Sequence, residues 1–220
     1  MANINYEFVR RNMVTNQLRP NKIQDERLLD RVLEVPREIF LPKDDRWKAY
    51  MDQYISLGND RYLFQPIAVA RLLQLAKIQD VDRVLLIGCG SGYMSAIAAG
   101  LASQVYAIDN IDSFCVEAAQ NMKALGLQNV TIKHANLKTG YASAAPFDCI
   151  IVEGAVEILP SSFLEQLSDG GRIVYVEYVK PFLGKAKIIS KLNNNHMTTD
   201  AFDLTLPLLK TFQADNSFVF

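Results

Sequence analysis

The chain of 220 residues is half hydrophobic and 21% charged, which excludes a disordered polypeptide and supplies enough material for one α/β domain with an appended element. Its 23 Lys and Arg against 24 Asp and Glu create no positive field for a phosphate backbone, so nucleic acid is not an expected partner. MANINYEFVRRNMVTNQLRP lacks the apolar core of a secretory signal, and the longest nearly apolar stretch, Tyr93 to Ile108, is too short and interrupted to span a bilayer; the expectation is a cytoplasmic protein with no membrane partner.

Helical patterning comes first along the chain. Phe8, Met13 and Leu18 mark one segment, and Leu28, Leu29, Val32 and Leu33 recur at helical intervals in a second, with Asp25 as its N-cap. Pro36 and Pro42 bracket Arg-Glu-Ile-Phe-Leu and predict an extended or turn-like connection. From Pro66 the amphipathic run PIAVARLLQLAKI leads into RVLLIG, a short buried strand closed by glycine. A helix near Met94 to Leu101, strand VYAID, a helix from Phe114 to Leu125, strands NVTIKHA and FDCIIVEGA, a helix from Ser162 to Leu167 and strand GRIVYVEY follow. This alternation predicts βαβ units in an α/β, Rossmann-like, mainly parallel sheet of seven strands with helices on both faces. KAKIISKL and MTTDAFDLTL, joined by a turn at Asn193-Asn194-Asn195, add antiparallel strands at one edge. Residues 1–65 are read as an N-terminal helical extension ending in a loop and 66–220 as the main domain, the two forming one compact unit.

The residues that carry chemistry are few. Cys89, Cys115 and Cys149 are odd in number and lack metal-ligand spacing, so buried reduced thiols are expected; His134 and His196 stand alone, and no metal is predicted. The strongest signal is Gly88-Cys89-Gly90-Ser91-Gly92, directly after a predicted strand and before a helix, where open α/β sheets bind ligands. Glycine suits the place because a Cβ would hold the ligand off the backbone and the turn needs unusual dihedrals. A dinucleotide fingerprint would want Gly or Ala at position 93, where Tyr93 stands, which argues against NAD. Asp109 ends the next strand, where a carboxylate accepts bonds from both ribose hydroxyls of a nucleoside.

These residues resemble the class I methyltransferases, and within them the protein-L-isoaspartate O-methyltransferase family. RRNMVTNQL, VLEVPREIFLP and AYMDQYISLG are similar to that family's N-terminal region, VLLIGCGSGYMSAIAAGLA to its cofactor loop and helix, ALGLQNVTIKHAN to the approach to its adenine site, and APFDCIIVEGA with GGRIV to its fourth and fifth strands. The resemblance implies S-adenosyl-L-methionine as cofactor, held by Gly88, Cys89, Gly90, Gly92, Asp109, Asn110, Ala135, Asn136 and Glu153, and isoaspartyl peptides or proteins as partners. It implies methyl transfer to a free α-carboxylate, giving an ester that cyclises to succinimide. Such a carboxylate is ionised at neutral pH, so no general base is required and no catalytic residue is assigned.

Several positions depart from the family. Its glycine-rich segment usually ends in Gln-Thr-Ile-Ser-Gln-Pro, whereas this chain has Arg61-Tyr62-Leu63-Phe64-Gln65-Pro66, placing Phe64 at the serine and Tyr62 at the threonine. Phenylalanine supplies neither donor nor acceptor, so the usual hydroxyl does not carry over. The acid that usually precedes the glycine loop is Leu86, and the aspartate that faces the adenine amino group is Asn136. Glu153 is either the replacement receptor for the methionine ammonium or an ordinary strand-end carboxylate. Arg61, Tyr62 and Gln65 are candidate acceptor-binding residues of an acceptor loop; for Arg61 the plainer alternative is a solvated loop arginine, and for Tyr62 packing against the helices. Three other functions stay open: a methyltransferase with a different acceptor, a non-catalytic adenosyl-ligand-binding protein, and an NAD-dependent oxidoreductase.

Overall fold

A computed structural model describes residues 4–181, 183–193 and 195–214. Arg83–Ile87 forms β3, a run of branched apolar residues buried on both faces, as a central parallel strand requires. It pairs in parallel with β4 (Gln104–Asp109) on one side and β6 (Phe147–Val156) on the other. β5 (Val130–His134) pairs with β4, and β7 (Leu167–Lys180) pairs with β6, both parallel. β8 (Leu183–Leu192) and β9 (Asn195–Asp203) add on antiparallel, giving the seven-stranded order β5-β4-β3-β6-β7-β8-β9. The expected mainly parallel sheet with an antiparallel edge is thus present. The turn between β8 and β9 falls partly on Asn194, which lies outside the described residues.

Because successive side chains of a strand face opposite ways, β3 divides its residues between two cores. Val84 and Leu86 join a cluster with α3 (Pro66–Ala76) and α4 (Tyr93–Ala99), while Leu85 and Ile87 join one with Phe147, Phe163 and Phe212. α5 (Asp112–Ala124) follows β4, and the short α6 (Ser162–Glu165) packs on the second face through Phe163. The N-terminal residues Met13, Leu18, Leu28, Leu29, Val32 and Phe40 are buried in the first cluster, so the extension is fused to the main core. No helix among the described residues is long and apolar enough to cross a membrane.

The N-terminal segment differs from its prediction in detail. α1 (Tyr6–Met13) runs into a wider π turn at Val14–Leu18 and a tighter turn at Arg19–Asn21. α2 (Glu26–Glu34) starts as expected, with the Asp25 side chain accepting from Leu28 N–H at 3.1 Å. The connection between Pro36 and Pro42 contains a 3₁₀ turn, Arg37–Phe40, where an extended segment was equally expected. α6 is shorter than predicted, because β7 begins at Leu167 rather than Gly171.

The largest difference lies at residues 55–63. What reads as a loop is a hairpin, β1 (Ile55–Gly58) and β2 (Arg61–Leu63), forming a separate two-stranded sheet. Asn59 and Asp60 both adopt positive φ, +49° and +56°, the left-handed pair that a tight hairpin turn needs and that Asn and Asp tolerate best.

Candidate active site

The chain leaves β3 for β4 and β5 on one side and returns across to β6 on the other, so the crevice beyond the carboxyl ends of β3, β4 and β6 is the topological switch point. The glycine turn sits there. Gly88, Gly90 and Gly92 have φ of +84°, +51° and +92°, values that side-chain-bearing residues rarely adopt. At Gly92 a Cβ would also lie 3.1 Å from both Ala118 Cβ and Met122 Cε of α5. The spacing of these glycines therefore follows from backbone conformation and close helix packing together.

Asp109 ends β4 beneath this turn, with its side chain fully buried. Its Oδ2 accepts from Gly90 N–H at 3.0 Å and Arg61 Nε at 2.8 Å; its Oδ1 accepts from Ile111 N–H at 3.1 Å and Arg61 Nη2 at 2.9 Å. The Arg61 Nη2 also donates to Asn110 Oδ1 at 2.6 Å. Arg61 is only 6% exposed, which overturns the picture of a solvated loop arginine: a buried guanidinium requires a paired carboxylate, and Asp109 supplies a two-pronged one. Sequence alone does not bring the two together, since they are separated by 48 positions.

Glu153, in β6, is buried, and its Oε1 has no hydrogen-bond partner. Burial, reinforced by the Asp109 charge, pushes its pKa well above the ordinary 4.5, so the neutral acid is favoured. An ordinary strand-end carboxylate would be solvated; this one is buried and lines a small pocket. The cavity, ≈ 10 Å³, is also lined by Tyr62, Phe64, Cys89, Ser91 and Tyr93, and holds about one water. Burial, reinforced by the Asp109 charge, likewise pushes the Cys89 thiol up, so it is not a nucleophile. All three cysteines are free and buried, as their sequence context predicted.

Two covers close the crevice. From one side the hairpin lies on the glycine turn: a Cβ at Gly90 would meet Leu57 Cδ1 at 3.5 Å and Arg61 Cβ at 3.8 Å. From the other side Leu209 wedges against Gly88 and Gly154, held by Ala155 N–H donating to Pro207 O and Leu209 N–H to Ala155 O, both at 2.9 Å. Lys210 meets Asp60 at 2.8 Å, and Tyr54 Oη donates to Thr205 O at 2.6 Å, joining the two covers.

The remaining candidates are spread around this centre. Tyr62 is half-buried and both lines the cavity and packs on the first core cluster. Gln65 donates its Nε2 to Asp52 O at 3.2 Å. Asn136 is exposed, and its Oδ1 caps the following turn through Lys138 N–H at 2.9 Å; Ala135 is tied to the site by its N–H to Asp109 O at 2.9 Å. Leu86 is fully buried in the first core cluster and brings no polar group.

One residue that the sequence did not single out anchors the hairpin's exit. Arg37 is fully buried, donates to Ala49 O at 2.5 Å and to Phe64 O, and lies 4.7 Å from the centre of the Tyr93 ring. It thereby ties the N-terminal extension to both the hairpin's exit and the helix that follows the glycine turn. A lone arginine in Val-Pro-Arg-Glu reads as a surface charge, and nothing in its local pattern distinguishes it.

A Rossmann-like sheet with a glycine turn after its central strand, an acid at the end of the next, and the β8–β9 antiparallel edge defines a methyltransferase of the S-adenosyl-L-methionine-dependent class. The protein-L-isoaspartate(D-aspartate) O-methyltransferase (PCMT) family model matches residues 9–203. The chain is 40% identical over 154 residues to the protein-L-isoaspartate O-methyltransferase of Vibrio atlanticus (strain LGP32), covering 70% of this chain and 74% of that one. It is 41% identical over 158 residues to that of Yersinia enterocolitica, covering 72% and 76%. The chain belongs to the protein-L-isoaspartate O-methyltransferase family. Two solved structures share its fold: one described as a protein-L-isoaspartate O-methyltransferase from Plasmodium falciparum in complex with S-adenosyl-L-homocysteine (TM-score 0.79, 18% identity, 95% of this chain and 100% of that one), and another protein-L-isoaspartate O-methyltransferase (TM-score 0.77, 23% identity), of which this chain spans 65% while 90% of its own length is covered.

The groups present fit that cofactor chemically. A strand-end carboxylate suits ribose hydroxyls, the glycine turn permits close approach of a ligand to backbone N–H groups, and the orphaned Glu153 Oε1 suits an ammonium. The hairpin lies over this turn, with Leu57 and Arg61 the nearest side chains to Gly90.

Proposed function

We propose that this chain transfers the methyl group of S-adenosyl-L-methionine to the free α-carboxylate of L-isoaspartyl residues in damaged proteins. The observation that carries the reading is the convergence of Gly88–Gly92, Asp109 and the unpartnered, buried Glu153 at the ends of adjacent strands. The cofactor supplies an electrophilic methyl on sulfur. Asp109 accepts bonds from the ribose hydroxyls, with Asn110, Ala135 and Asn136 bordering the adenine, and Cys89 completes the turn. Glu153 takes the methionine ammonium in place of the acid absent at Leu86. That contact costs it a proton, because its neutral form is favoured while the site is closed. The acceptor carboxylate needs no base; Tyr62 and Gln65 align it, and the apolar wall of Leu57, Leu63 and Phe64 strips its water.

A second reading, the same transfer to a different carboxylate, is favoured by one feature: Phe64 presents a ring to the cavity where the family carries a hydroxyl. Steady-state transfer of labelled methyl to an isoaspartyl peptide tests both. We expect measurable transfer by the wild type and a rise of roughly ten- to a thousand-fold in Phe64→Ser, the range associated with one positioned polar contact in a transition state. Activity in Phe64→Ser but none in the wild type would assign the natural acceptor to another carboxylate. Binding of the cofactor without transfer by either protein would leave a ligand-binding role alone.

A further inference from the structure

The carboxylate assigned to the ribose is already fully used. An ionised carboxylate offers about four acceptor directions, and Asp109 spends them on Gly90 N–H, Ile111 N–H and two nitrogens of Arg61. Two of the four donors are backbone groups held by the fold; only the guanidinium can leave. Its departure also clears space, because the Arg61 Cβ and Leu57 lie over Gly90 and the pocket beside Glu153 has a volume of only ≈ 10 Å³, against the roughly 300–1,000 Å³ of ligand pockets.

From this we infer that Arg61 is an internal competitor for the ribose seat, a residue that sets cofactor affinity by occupying Asp109 until the nucleoside displaces it. The inference rests on the assignment of Asp109 to the ribose given above. The exchange is balanced in kind: two charge-assisted bonds from a guanidinium are replaced by two from ribose hydroxyls, and the displaced cation regains water. The hairpin that carries Arg61 is suited to moving. It is a two-stranded sheet separate from the main one, and such hairpins are marginal in isolation. Its tip is held by an exposed Asp60–Lys210 pair, which contributes little. Its base, by contrast, is fixed: Ile55 and Leu63 are buried in the first core cluster and Arg37 holds the Phe64 carbonyl, so the motion is confined to the residues between them.

The test compares S-adenosyl-L-homocysteine binding to the wild type, Arg61→Lys and Arg61→Gln by calorimetry, with association rates followed by surface plasmon resonance. Lysine keeps the charge but not the two-pronged fit; glutamine removes the charge. We expect affinity to rise in the order wild type, Arg61→Lys, Arg61→Gln, by at least tenfold overall. In the wild type the observed association rate should level off at high ligand concentration, because release of Arg61 precedes binding, and in Arg61→Gln it should stay linear. The rate measurement on the wild type stands even if a variant folds poorly. Equal or weaker binding by Arg61→Gln, or a wild-type rate that rises linearly throughout, would overturn the inference while leaving the cofactor assignment intact. Failure of all three proteins, each shown folded by its thermal transition, to bind the ligand would overturn the cofactor assignment and this inference with it.

Discussion

The turn after β3 and the hairpin that covers it are both short, glycine-containing segments, yet they are specified in different ways. Residues 88–92 are shaped from within: three glycines take positive φ because the strand-to-helix reversal demands it. Residues 55–63 close their own turn with Asn59 and Asp60, but their placement depends on Arg61 finding Asp109, 48 positions later in the chain. Local dihedral demands leave a residue pattern that is readable in one dimension, whereas a long-range ion pair leaves only two charged residues among many. The first segment is therefore readable from its own residues, and the second is not.

The sharpest way to break this contrast is at the group the two segments share. Asp109→Ala strands the Arg61 guanidinium and removes the acceptor for Gly90 and Ile111 N–H; we expect a stability loss of about 3–5 kcal/mol, as for other broken buried pairs, with loss of S-adenosyl-L-homocysteine binding. Urea denaturation and calorimetry check it. A loss below about 1 kcal/mol, the level of an exposed pair, would mean that the hairpin does not depend on this contact.

A smaller effect is expected where the hairpin meets the N-terminal extension. Arg37→Leu leaves the Ala49 and Phe64 carbonyls without their buried donor, a cost of about 2 kcal/mol. Arg37→Lys should recover part of the stability, and, if the segment beside Phe64 aligns the acceptor as proposed, methyl transfer should fall more than cofactor affinity in Arg37→Leu. Equal loss of both would place Arg37 in the general scaffold.

Glu153 sharpens the comparison from the β6 side. Its raised pKa means that the folded chain holds this proton more tightly than the unfolded one. Its contribution to stability is therefore fully present below the ordinary value of 4.5 and is lost as pH rises from there towards the folded value. Glu153→Gln should abolish that decline, visible as a flatter profile of unfolding midpoint against pH. If Glu153 receives the ammonium, wild-type cofactor binding should also release a proton, detected by calorimetry in buffers of different ionisation enthalpy, and Glu153→Gln should not. The smallest effect is expected of Lys210→Ala, whose partner Asp60 is itself partly solvated. Its thermal midpoint should match the wild type, and a clear drop would mean that the hairpin tip is held more firmly than an exposed pair allows.

Much of the architecture was legible in the residues. RVLLI, VYAID and FDCIIVEGA are short, branched and flanked by turn formers, and they form adjacent strands as read. Asp25 caps its helix because a short carboxylate before an apolar-periodic run has little else to do. The segments that the sequence does not reveal are those without a period: the π and 3₁₀ turns after Met13, and the hairpin, whose Asn59-Asp60 turn joins strands of four and three residues, too short to show alternation.

By itself the sequence determined the order of strands and helices and the glycine turn with its following acid, because each follows from hydrophobic period or backbone dihedral within a few residues. Only the tertiary structure decided that Arg61 is buried on Asp109, that Glu153 is enclosed without a partner, that Arg37 ties three segments together, and that Leu209 closes the far side of the crevice. Those outcomes depend on desolvation: whether a charged side chain stays in water or pays for burial with a partner is set by what the fold brings beside it, and no local pattern records that.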